Sequence, residues 1–145
     1  MVTEQSIVAV LGGKKSIGQE IKKPFDIDSL IKKGIPFKAT NQVRIKLRLS
    51  LPKFVALVKI SESGWARARR TNKRLSTVVS DRVYRVARIF SIATQVLEDE
   101  DEARKWLSEK QVGLGGNLPL DLMQTEAGAK EVEDLLWRIE YGVIS

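Results

Sequence analysis

Cysteine and histidine are both absent from the 145 residues. Without cysteine there is no disulfide, no thiolate nucleophile and no zinc site of the Cys or His type. Without histidine there is no Ser-His-Asp triad and no near-neutral proton shuttle. Any catalysis must come from carboxylates, lysine or tyrosine. Ser50-x-x-Lys53 has the spacing of a serine-lysine nucleophile pair. Its companion motifs are missing, and a capping serine ahead of Pro52 explains the pattern better. Gly13 and Gly18 have the spacing of a phosphate loop, but Gln19 and Glu20 stand where that loop needs lysine and a hydroxyl. Gly113, Gly115 and Gly116 do not fit a dinucleotide fingerprint and follow no strand. The run Glu98-Asp99-Glu100-Asp101-Glu102 lacks the glycine and ligand spacing of a cation cage, and suits the start of a helix. The expectation is a protein with no catalytic residue, no metal and no cofactor.

Arginine chemistry is better represented. Arg67, Arg69, Arg70, Lys73 and Arg74 crowd into eight residues. Arg67, Arg70 and Arg74 follow +3 and +4 spacing, which places them on one helical face. Such a face meets phosphates and base edges, and arginine pairs with guanine through two parallel hydrogen bonds. With Ser61, Ser63 and Trp65, these residues form the candidate DNA-binding set. The charge of the whole chain supports this. Residues 1–97 carry 20 Lys and Arg against 6 Asp and Glu, whereas residues 98–145 carry 5 against 12. The basic part has the electrostatic footprint of a nucleic-acid binder, and the acidic part suits a protein partner.

The elements that must position these residues read as all-α. Residues 1–26 carry weak signals: Ile7, Val8, Val10 and Leu11 suit a short apolar turn or strand before Gly12-Gly13. Asp26 or Asp28 caps a helix that Gly34 and Pro36 stop. Residues 38–47 suit a second helix, although Val43, Ile45, Leu47 and Leu49 also alternate as a strand would. Ser50 and Ser61 each cap a helix, with a tight connection at Lys59-Ile60 between them. That is the helix-turn-helix outline, with the recognition helix at about 61–72. Ser76 opens the longest helix, whose stripe Val79, Val83, Val86, Phe90, Ala93 and Leu97 predicts the spine of the core. Pro119 opens a short turn of helix. Thr125 caps the last helix, and Gly142 stops it. The expected organisation is a DNA-binding region over 1–97 and an acidic region over 98–145. With no run of about twenty apolar residues and a poor signal peptide, no membrane partner is expected, and the cytoplasm is.

The segment Gly115-Gly116-x-x-Pro119-Leu120-Asp121-Leu122-x-x-Thr125-Glu126-x-Gly128, followed by Val132, Leu135-Leu136 and Arg138-Ile139-Glu140-Tyr141-Gly142, resembles the C-terminal toxin-binding domain of the Xre/MbcA/ParS antitoxins. The chain as a whole is similar to the Xre antitoxins of RES–Xre toxin–antitoxin pairs. The resemblance implies a Cro-type helix-turn-helix body followed by a small helical toxin-binding domain. It implies a cognate RES-domain toxin that destroys NAD, neutralised by blocking its active-site entrance, and repression of the chain's own operon through operator DNA. Carried over residue by residue, the toxin-binding set is Arg138, Glu140, Tyr141, Gly142, Val143, Ile144 and Ser145. Ile144 stands where relatives often carry an aromatic residue. Half-site recognition favours a homodimer, within a larger hetero-oligomer when toxin is bound. The alternatives are a dimeric transcription regulator without a toxin partner and, further off, a small carboxylate-dependent enzyme.

Overall fold

The structure is a computed structural model that describes residues 2–142. Among these the chain is all-α, with ten α-helices and one short 3-10 turn at Val112–Leu114. In order they are α1 (Glu4–Val10), α2 (Lys14–Ile17), α3 (Pro24–Lys33), α4 (Phe37–Leu47), α5 (Leu51–Val58), α6 (Glu62–Thr71), α7 (Thr77–Leu97), α8 (Glu100–Leu107), α9 (Pro119–Leu122) and α10 (Glu126–Glu140).

Capping chemistry sets most of these starts. The hydroxyls of Ser50, Ser61, Ser76 and Thr125 accept from the backbone N–H three residues on, as does the Asp99 carboxylate at α8. Each satisfies one of the donors that a helix start leaves without a partner. The acidic run therefore does open a helix: Glu100, Asp101 and Glu102 occupy the first turn of α8, where the helix dipole favours negative charge. The ambiguous stretch 38–47 is helical, because Ala39, Thr40, Val43 and Leu47 turn one face to the core. The strand alternation is incidental: Ile45 is exposed.

Two expectations are corrected. Residues 4–10 form neither a turn nor a strand but a helix, started by a reciprocal Thr3–Ser6 capping box, with Ile7, Val8 and Val10 buried. The helix α3 begins at Pro24, two residues before Asp26. Asp26 does not cap as the first residue but reaches back, accepting from the N–H groups of Lys22 and Lys23 at 2.8 and 3.1 Å. Those bonds hold its carboxyl below the usual carboxylate range.

The spine is α7. Val79, Val83, Val86, Phe90 and Ala93 are buried as the stripe requires, and Ala87, Ile89 and Ile92 join them. A helix buried on so much of its circumference has neighbours on several sides. Helices α1, α3, α4 and α5 pack against α7, and so do α8 and α10. Ser80, buried within α7, accepts from the Ile35 N–H at 2.7 Å, which ties the spine to the α3–α4 connection. One apolar cluster runs without a break from Ile7 to Leu136.

Candidate functional site

Two surfaces carry the candidate residues. The first is α6. Its start is fixed by Ser61, whose Oγ accepts from Gly64 N at 2.9 Å. The preceding turn needs a residue in the left-handed region, where glycine is usual. Lys59 fills it instead, at φ 57°. Gly64 makes room for that turn: a Cβ there would sit 3.0 Å from Ser61 Oγ and 3.2 Å from Ile60 Cγ1.

Inward, α6 is held by Trp65 and Ala68. Trp65 is only 4% exposed, with its ring 4.8 Å from Phe37 and 5.6 Å from Phe54. This corrects the expectation that Trp65 contacts DNA; it is the anchor behind the helix. Outward, helical spacing places Ser63, Arg67 and Arg70 directly opposite that anchor. All three are exposed, and Arg69 is exposed on the flank. Arg74 does not share the face with Arg67 and Arg70 as the spacing suggested. The helix ends at Thr71, Asn72 turns left-handed at φ 51°, and Arg74 lies in an extended bridge to Pro36. Lys73 is exposed in the same connection.

The second surface is the end of α10. Thr125 caps the helix, and Gly128 follows because nothing larger fits. A Cβ at Gly128 would lie 2.0 Å from the Leu122 carbonyl oxygen, so α9 and α10 meet backbone to backbone. Ala129, Val132, Leu135 and Leu136 bury the inner face. At the exit, the Tyr141 ring stacks on Trp137, 6.1 Å between centroids, and Tyr141 is 75% exposed. Glu140 and Gly142 are exposed, and Arg138 is half-buried, with its Nε out of solvent and without a hydrogen-bond partner among the described residues. Gly142 turns left-handed at φ 68°, as a helix stop does. Val143, Ile144 and Ser145 lie outside the described residues. Trp137 was missed as part of this surface; its place four residues before Tyr141 is the signal that could have found it.

The opposite charges of the two regions also meet each other, which the sequence division did not suggest. Arg85, almost buried on α7, donates from Nε to Glu126 at 2.9 Å, and Arg88 reaches Glu126 at 3.3 Å and Glu133 at 3.7 Å. Lys46 pairs with Glu100 at 3.2 Å, and Arg48 with Asp101 at 3.4 Å. Burial works to raise the Glu126 carboxyl, but the Arg85 hydrogen bond and the Arg88 charge outweigh it, leaving it below the ordinary range. The cations of α6 have no ion pair among the described residues. They remain free for an external anion.

Residues 26–88 match the helix-turn-helix domain of Xre-like antitoxins, and residues 93–142 match the C-terminal toxin-binding domain of Xre/MbcA/ParS antitoxins. An antitoxin Xre of Yersinia enterocolitica is 30% identical over 120 residues, which cover 82% of this chain and 80% of that protein. An antitoxin Xre of Photorhabdus laumondii is 23% identical over 120 residues, 82% of this chain and 81% of its own. The chain belongs to the Xre antitoxin family. The first surface thus falls within an Xre-like helix-turn-helix domain, and the second ends a toxin-binding domain. Antitoxins of this family are regulatory proteins rather than enzymes, which agrees with the absence of a catalytic constellation from the sequence. No described helix is long and apolar enough to cross a membrane.

Proposed function

We propose that this antitoxin neutralises a RES-domain toxin that degrades NAD, and that it does so by seating its C-terminal segment in the toxin's active-site entrance. The observation that carries the reading is the exit of α10. An exposed tyrosine, Tyr141, stacks on the partly buried Trp137 at the end of a well-anchored helix, beside an arginine whose buried Nε lacks a partner among the described residues. An exposed tyrosine on a rigid stem fills a pocket at small entropic cost and still offers its hydroxyl. The contact set is Arg138, Glu140, Tyr141 and Gly142, continued by Val143, Ile144 and Ser145. Acidic residues on the outer side of α10 raise the encounter rate with a basic toxin surface, while the buried tail contacts set the lifetime.

The same chain binds operator DNA through α6 and represses its own operon. Residues 1–97 are the DNA-binding region and 98–145 the toxin-binding region. Ser63, Arg67 and Arg70 meet the groove, while Ser61, Arg69, Lys73 and Arg74 flank it. A two-fold operator calls for a homodimer, inside a larger hetero-oligomer when toxin is bound, in the cytoplasm.

Co-expression with a RES-domain toxin tests the reading, with growth and cellular NAD as readouts. Deleting residues 142–145, or replacing Arg138 and Tyr141 with alanine, is expected to restore NAD loss and growth arrest while the antitoxin's circular dichroism and melting stay unchanged. Full protection by the folded, truncated chain would sink the tail mechanism.

A further inference from the structure

Three chain segments converge on Arg74. Its Nη1 donates to the carbonyl of Gly34, the residue that closes α3, at 2.7 Å. Its Nη2 lies beside Gly18, the left-handed residue that closes α2: a Cβ on Gly18 would sit 3.7 Å from it. Its backbone bridges to Pro36 at the start of α4. Around this point stand three more cations. Lys33 precedes Gly34, Lys73 precedes Arg74, and Lys15 lies about one turn before Gly18. All are exposed. Their neighbours Lys14 and Lys32 are neutralised, by Glu20 at 2.7 Å and by Asp28 at 2.9 Å. Lys15, Lys33, Lys73 and Arg74 have no ion pair among the described residues.

The Arg74 bond to Gly34 serves the fold, but the side chains of Lys15, Lys33 and Lys73 make no hydrogen bond or ion pair among the described residues. Four uncompensated cations gathered at one junction repel one another, and an external polyanion relieves the repulsion. We propose that this junction is a second phosphate-binding patch, which holds the duplex DNA backbone outside the α6 contact and extends the footprint to α2 and α3. The inference rests on the DNA-binding reading above and adds Lys15 and Lys33 to it. Continuity favours DNA as the occupant, because Lys73 and Arg74 leave α6 directly and α4 is locked to α6 through the Phe37–Trp65 contact. Arg74 is suited to the role because its bond to Gly34 holds the planar guanidinium in place, so less freedom is lost when Nε and Nη2 meet a phosphate. Lysines serve as point charges at the rim.

Phosphate contacts carry no base identity, so their loss weakens all sequences alike. The test uses the full chain with the charge-removing double variant Lys15→Gln/Lys33→Gln, and Arg67→Gln/Arg70→Gln for comparison. Affinity is measured against salt on a duplex of arbitrary sequence, about 30 base pairs long, and on the DNA upstream of the chain's own operon. Lys15→Gln/Lys33→Gln should melt as the parent does. It should lose about tenfold in affinity on both duplexes, with the slope of log affinity against log salt reduced by about 2. Arg67→Gln/Arg70→Gln should lose more on the operon duplex than on the arbitrary one. An unchanged affinity and slope for Lys15→Gln/Lys33→Gln, beside a weakened Arg67→Gln/Arg70→Gln, overturns the patch and leaves the α6 reading standing. A parent chain that binds neither duplex overturns both.

Discussion

Lys59 occupies a left-handed position that costs an L-residue about 1–2 kcal/mol, partly offset by the greater chain freedom a glycine would lose. Lys59→Gly should therefore raise stability by up to about 1 kcal/mol, read from the urea midpoint. Trp65→Ala should cost about 3–5 kcal/mol, because its ring fills the space between Phe37 and Phe54. It should abolish DNA binding by loosening α6, with a lowered melting temperature that Arg67→Ala would not show. Gly128 reverses an ordinary rule. Alanine for glycine inside a helix commonly gains about 1 kcal/mol. Here the added methyl meets the Leu122 carbonyl, so Gly128→Ala should lose at least about 1–3 kcal/mol in denaturant titration and weaken toxin binding with it.

The junction of α7 with α10 is held by charge as well as by apolar contact. Glu126 sits between Arg85 and Arg88, and its carboxyl titrates lower in the folded chain than in the unfolded one. Its contribution is complete above the unfolded value of about 4.3 and disappears as pH falls through the lower folded value. Because the Glu126 side chain is 63% exposed and its pairs are screened by solvent, Glu126→Gln should lower stability near neutral pH by only about 0.5 kcal/mol and flatten the acid limb of a stability–pH curve. A limb as steep as the parent's would remove the role of this pair. Elements with a side-chain cap were legible beforehand. Ser50, Ser61, Ser76 and Thr125 announce α5, α6, α7 and α10 because a cap and an apolar stripe agree locally. α1 and α2 were not legible. They span 7 and 4 residues, too short to show a period, and their apolar side chains are placed by α7 and α4 rather than by their own pattern.

Across the whole molecule the charge division has two uses. Lys46, Arg48, Arg85 and Arg88 are matched by the acidic part of the same chain, whereas the cations on and beside α6 stay unmatched. Net charge alone could not separate these groups, because the pairs form between residues far apart in sequence, such as Lys46 with Glu100 and Arg48 with Asp101. The candidate surfaces were legible to different depths for the same reason. Arg67 and Arg70 follow from helical spacing, but the inward turn of Trp65 and the displacement of Arg74 depend on Phe37, Phe54, Gly34 and Pro36, which lie far from them along the chain. Matched pairs should respond weakly to salt and unmatched ones strongly. DNA affinity should thus fall steeply between about 50 and 200 mM salt, while the melting temperature moves little.

The 21 residues of α7 support α1, α3, α4 and α5 as well as α8 and α10. That sharing bears on how specificity passes between relatives. A chimera joined at residues 97 and 98 inherits a spine whose Arg85, Arg88 and Phe90 were selected against another chain's partners. One joined at Ser76 keeps α7 with the α10 it clamps, Arg85 and Arg88 included, and has the Ile35–Ser80, Lys32–Thr77 and Ser6–Ser91 hydrogen bonds and the facing side chains of α1, α3, α4 and α5 to re-match; the Lys46–Glu100 and Arg48–Asp101 pairs cross either seam. Exchange of toxin preference by recombination should succeed more often with the seam before α7 than after it.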